Sequence, residues 1–117
     1  MEAAINIQDF LPLREPTFFI LLSIAQHKKH GYAILKDVET LSHEKVTLSN
    51  GTLYGALTRL QDQGLIARVD SEEPSESGRP RKAYQLTETG AAVLDAEINR
   101  MQTLIHTAKT QREGGSV

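Results

Sequence analysis

The stretch SNGTLYGALTRLQDQG, Ser49 to Gly64, limits what this chain can fold into more than any other. Ser49 is a good helix N-cap, with Asn50 as the option shifted by one residue. Leu53, Ala56, Leu57 and Leu60 recur at helical spacing and form a stripe that must be covered. Gly64 suits the left-handed position just past the helix end, where Leu65 can fold back onto the last turn. A helix bounded this sharply leaves a polar face holding Tyr54, Gly55 and a single basic residue, Arg59.

The flanking segments supply the cover. TFFILLSIAQ is apolar nearly all round, which predicts a central buried helix. Pro12 and Pro16 precede it, and Lys28, Lys29 and His30 end it before Gly31. A second helix is predicted from about Tyr32 to Leu41, with Ile34, Leu35, Val38 and Leu41 on its apolar stripe. Val46, Thr47 and Leu48 read as a very short strand. Two helices joined by a short loop make a helix-turn-helix. After it, Ile66–Asp70 reads as a strand and Arg81–Leu86 as its partner. Ser71–Pro80, polar with Gly78 and two prolines, reads as a long hairpin loop. That order predicts an α+β, mainly helical winged helix-turn-helix over residues 11–86.

Thr87 then caps a last helix running to about Lys109. Its Leu94, Ile98, Met101, Ile105 and Ala108 step by four and three, the heptad seam of a helix meeting another helix. The wing already closes the small core, so residues 87–110 are expected to belong to the same compact unit and to dimerise through this seam. Part of the stripe is expected to face Phe18, Phe19 and Leu22 of its own chain. Residues 1–10 and 111–117 are expected to be flexible ends.

Bulk composition narrows the function. The 117 residues fit one small domain. There is no cysteine, hence no disulfide framework, thiolate zinc site or thiol redox centre. The apolar run Phe18–Leu22 is far too short to span a bilayer. A soluble cytoplasmic protein that does not associate with a membrane is the expectation. His27, His30, His43 and His106 have no cysteine among them and no supporting carboxylate spacing, so neither metal nor other cofactor is expected. No nucleophile–base constellation or Gly-rich phosphate loop is visible, which argues against an enzyme. Net charge is −2. That alone argues mildly against nucleic acid, so what matters is whether positive charge gathers on one face.

It gathers on the wing, beside a helix whose first turn suits a groove. A recognition helix needs small or polar residues in its first turn, and Ser49, Asn50, Gly51 and Thr52 supply them. Asn50 suits an adenine edge, Thr52 or Thr58 a thymine methyl, and Tyr54 and Arg59 backbone phosphates. On the wing, Arg79, Arg81 and Lys82 fall within four residues, while Glu72, Glu73 and Glu76 stand on the other side of the loop. The basic end can lie on a phosphate track with the acidic end turned away. Lys28, Lys29 and Lys36 are read as a solvated charge run. The competing reading takes Ser49 and Asn50 as caps only and the whole unit as a protein-interaction module. Its support is the low positive charge of the third helix.

HGYAILKDVE, GTLYGALTRLQDQGLI and GRPRKAYQLTETG resemble, in order, the motif blocks of the PadR family of bacterial transcriptional regulators. The resemblance runs from about Leu11 to Lys109 and fits the short branch with one C-terminal dimerisation helix. It implies a homodimeric winged-helix repressor on a near-palindromic double-stranded operator. Some relatives release DNA on binding hydrophobic molecules at the dimer interface. Here such an effector pocket would be lined by Phe19, Met101 and Ile105. The sequence departs from the family pattern at Asn50, where proline is common, and at Gly55, where proline or a larger residue is frequent, and it lacks a tryptophan in the last helix.

Overall fold

The computed structural model describes residues 5–74 and 80–114, with the side chains of residues 5–70 and 82–114. After a 3-10 turn at Ile7–Phe10 come α1 (Glu15–Ser23), β1 (Lys29–His30), α2 (Gly31–Leu41) and α3 (Asn50–Asp62). β2 (Ile66–Pro74), β3 (Pro80–Leu86) and α4 (Glu88–Arg112) follow. The sheet order is β1-β3-β2, antiparallel throughout. This is a winged helix-turn-helix followed by a long fourth helix.

The stripes meet in one core. Ile20, Leu21 and Ile24 from the first helix and its end pack with Ile34 and Val38 of α2 and with Leu53, Leu57 and Leu60 of α3. Leu65, Ile66 and Tyr84 close it from the wing, and Val93 and Leu94 from α4. Removing these apolar surfaces from water, at about 25 cal/mol per Å², is the main force holding the small unit together.

The ends of α3 form as their residues dictate. The Ser49 hydroxyl accepts from the Thr52 N–H at 3.1 Å. At the other end Gly64 has φ 78°. Leu65 N–H reaches the Leu60 carbonyl and Gly64 N–H the Gln61 carbonyl, both at 3.0 Å, the paired bonds of a Schellman stop. Thr87 caps α4 by accepting from Gly90 N–H at 3.0 Å and donates to the Gly64 carbonyl at 2.6 Å, joining the end of α3 to the start of α4.

Four expectations change. α1 ends at Ser23 rather than running to Lys28, because Lys29 and His30 are drawn out as a strand. Lys29 pairs with Tyr84 and His30 with Ala83. The extra strand is therefore β1 and not Val46–Leu48. That segment is a non-regular turn whose Val46 and Leu48 pack inward. Buried Ser42 holds it by accepting from Val46 N–H at 2.9 Å. The wing strands are longer than predicted, since β2 continues to Pro74 and β3 starts at Pro80, with an irregularity in register between Asp70 and Pro74. Finally, Ile7–Phe10 is not a loose end. Asn6 caps it, accepting from Gln8 N–H at 3.0 Å, and Ile7 and Phe10 pack against the core beside α4.

Glu97 is the one carboxylate drawn into the α4 stripe, at 2% exposure. It accepts from Leu13 N–H at 2.9 Å and from Arg100 at 2.5 and 3.1 Å, tying the lead-in to α4. The Arg100 side-chain bonds hold its carboxyl below the ordinary 4.5 against the opposing effect of burial. A carboxyl held low contributes stability above its unfolded pKa and loses it as pH falls through the folded one. Glu97→Gln is thus expected to be less stable than wild type at neutral pH. Denaturant titrations well below pH 4.5 should show the gap closing.

Candidate nucleic-acid interface

With 3.6 residues per turn, the stripe Leu53, Ala56, Leu57 and Leu60 turns one side of α3 inward. The opposite side presents Asn50, Gly51, Tyr54, Gly55, Thr58 and Asp62, all exposed. Ser49, Thr52 and Arg59, at its margins, are exposed as well.

The polar groups on this face are not equally free. Ser49 and Thr52 are engaged with each other, Ser49 Oγ donating to Thr52 Oγ1 at 2.9 Å. Thr58 Oγ1 donates to the Tyr54 carbonyl at 3.0 Å, so its methyl is left as the group on offer. Tyr54 is 45% exposed. Its ring and hydroxyl lie so close over Gly31 that any Cβ there would overlap them. The glycine of HGY and the tyrosine of GTLY are thus one contact. It fixes the aromatic ring at the seam between α2 and α3. Tyr84 lies inside that seam at 3% exposure, and its phenol is pushed up by burial, then by Tyr54, against a smaller lowering by Arg68.

The two glycines of α3 behave differently from Gly31. A Cβ added at Gly51 or Gly55 meets nothing within 4 Å. Among the described residues neither packing nor backbone conformation demands glycine there, and glycine at an interior helix position such as 55 costs about 0.8–1 kcal/mol relative to alanine. Lying four residues apart on the open face, the pair lets an external surface approach the helix backbone closely. Gly55→Ala is expected to raise unfolding free energy by about 0.5–1 kcal/mol. A raised midpoint in thermal melting of the variant checks this.

The wing places Arg68 and Lys82 at the surface, with Lys82 opposite Asp70 and Arg68 opposite buried Tyr84. The Lys82 carbonyl lies 3.3 Å from His30 Nδ1, which ties the wing to the start of α2. Arg81 is on β3, but its side chain is outside those described, and Arg79 is outside the described residues altogether. Two members of the charge run Lys28, Lys29 and Lys36 are engaged within the chain. Lys29 pairs with Asp37, and Lys36 sits 5.6 Å over the Tyr32 ring. Among the described residues no three His, Asp or Glu side chains come together as metal ligands would. No described helix is long and apolar enough to cross a membrane.

The heptad seam of α4 divides along its length. Leu94, at 4% exposure, belongs to the chain's own core, and Ile98 packs partly buried against it. Met101 and Phe19 are half-buried. Beyond them Leu104 and Ile105 are 55% and 54% exposed, and Ala108 is exposed too.

The chain is similar in sequence and fold to known proteins. Over 110 residues the chain is 29% identical to transcriptional regulator YqjI of Escherichia coli K12. The match covers 94% of this chain and 50% of that protein, so the chain spans half the length of that relative. A PadR family transcription regulator from Clostridium difficile superposes with a TM-score of 0.63 at 27% identity, over 85% of this chain and 97% of the other. Bacillus subtilis PadR in complex with operator DNA has a TM-score of 0.62 at 21% identity, over 73% and 48%. Residues 20–96, from the buried half of α1 through the wing into α4, match the transcriptional regulator PadR-like family, and to that family this chain belongs.

Proposed function

We propose that the protein is a sequence-specific DNA-binding transcription regulator that reads the major groove with the open face of α3. The observation that carries this reading is the pair of glycines at positions 51 and 55. Nothing among the described residues requires them, and they sit on the outward face of the helix that this fold offers to DNA. Asn50 offers an exposed amide to a base edge, and Thr58 supplies a methyl for thymine. Ser49, Thr52, Tyr54 and Arg59 surround the groove contact. Lys82, with Arg81 and Arg79 from the same cluster, takes flanking phosphates. A protein that shares the fold was solved with operator DNA, which supports DNA as the partner.

The reading includes a homodimer. Leu104 and Ile105 are large apolar side chains left in water at the free end of α4. Met101 and Ala108 continue their stripe, and a second copy laid antiparallel or parallel along it would cover all four. The dimer would carry two α3 helices to successive major grooves, about 34 Å apart on a near-palindromic site. Occupying a promoter in this way represses it. A small hydrophobic effector seated among Phe19, Met101 and Ile105 would release it. The test is selection from fragmented genomic DNA by the purified protein. Recovery of a short sequence with two related half-sites supports the reading, and retention of no fragment refutes it.

A further inference from the structure

The open face of α3 has two flanks. On one, Tyr54 rests on Gly31 at the start of α2, and this side leads through β1 to the wing. On the other, Thr52 and Arg59 face the beginning of α1. Between them lies a cavity of about 120 Å³, walled by Arg14, Thr17, Thr52 and Arg59 over a floor that includes Ile20 and Ala56. Among the described residues no carboxylate lines it. Arg14, Thr17 and Arg59 also wall an adjoining cavity of about 340 Å³, which Asp9 borders.

The chemistry of the smaller cavity is specific. Among the described residues the ion pairs are Lys29–Asp37 and Glu97–Arg100, so neither Arg14 nor Arg59 is neutralised within the described part of the chain. Thr52 Oγ1 receives its hydrogen bond from Ser49, which leaves its own proton free to be donated outward. Two guanidinium groups and two hydroxyls around one concavity offer donors from several directions, which suits phosphate oxygens.

The geometry of the major groove then decides what phosphate this would be. A helix lying in a groove about 12 Å wide has a sugar-phosphate strand along each flank. The wing side accounts for one strand. We propose that the cavity formed by Arg14, Thr17, Thr52 and Arg59 seats a backbone phosphate of the DNA on the flank of α3 opposite the wing. This rests on the DNA-binding reading above. It adds Arg14 and Thr17, which lie outside the helix-turn-helix and the wing, as groups that set how α3 sits in the groove.

The test compares Arg14→Ala, Arg59→Ala and Lys82→Ala with wild type on a selected duplex and on a duplex of random sequence. Each neutralised phosphate contributes about 0.9 to the slope of log affinity against log salt. Arg14→Ala should therefore flatten the slope by about 0.9 and weaken both duplexes alike, by about fivefold near 0.15 M salt. Phosphate-ethylation interference should show Arg14→Ala and Arg59→Ala losing sensitivity at the same phosphate. That phosphate should lie across the major groove from the one lost in Lys82→Ala. An unchanged slope for Arg14→Ala, on DNA that wild type binds, overturns this proposal and leaves the DNA reading standing. Loss of the Lys82 phosphate instead overturns it too. Failure of wild type to bind either duplex overturns both.

Discussion

Ile105→Glu is expected to turn the proposed dimer into a monomer and to lower its affinity for a two-half-site duplex by about 10²-fold or more. The residue lies 54% exposed near the end of a 25-residue helix, about 37 Å long, whose first turns are anchored in the chain's own core. A carboxylate at that point costs the single chain little, because the side chain already stands in water. In a helix–helix seam it would place two charges against apolar neighbours without partners. The affinity loss follows from bivalence: once one half-site is held, the second binds at high effective concentration, which is worth about 10²–10⁴ in avidity. Analytical ultracentrifugation and binding to one-half-site and two-half-site duplexes measure the two effects. A dimeric Ile105→Glu with unchanged operator affinity would place the subunit contact elsewhere.

Gly90→Ala is expected to cost about 3 kcal/mol or more, enough to unfold much of the population of a small domain at modest denaturant. A Cβ at position 90 would run into the carbonyl oxygen of Leu65 and crowd the Leu86 side chain. Leu65 cannot retreat. Its N–H closes the Schellman stop of α3, its carbonyl accepts from Thr87 N–H at 3.1 Å, and its side chain is 1% exposed. One methyl group would therefore lift the start of α4 off the wing. The same substitution at Gly55 is expected to stabilise, so the pair of variants separates a glycine required by packing from one that only keeps a surface open. Equal melting temperatures for the two variants would contradict this account.

What could be read before the structure is what local chemistry controls. Ser49, Gly64 and Thr87 announce their helix ends because a side-chain acceptor or a left-handed backbone position is needed at that residue and nowhere else. The stripe of α3 was equally legible, since only one side of it can be buried. The third strand was not. Lys29 and His30 are polar and carry no strand signal, and they are extended only because β3 offers them an edge to pair with. Val46–Leu48 misleads for the opposite reason: it looks like a strand, yet Ser42 and inward packing hold it as a turn. Glu97 left a faint signal as a carboxylate set inside an apolar stripe, but its partner Leu13 is distant in the chain. The heptad spacing of α4 was visible, though not its division at Ile98 between its own core and an open end. Arg14 could not be singled out at all, because its place beside Arg59 depends on how α1 crosses α3.

The central claim is that α3 reads sequence while basic side chains around it hold phosphates. A salt titration of binding to a selected and to a random duplex, for wild type, Asn50→Ala and Lys82→Ala, tests it most directly. The account predicts that Asn50→Ala loses affinity for the selected duplex, by about 1–3 kcal/mol, with its salt slope and random-duplex binding unchanged. Lys82→Ala should weaken both duplexes equally and flatten the slope by about 0.9. If Asn50→Ala weakened both duplexes alike, or if Lys82→Ala changed sequence preference with no change in slope, the division of labour described for this interface would be wrong.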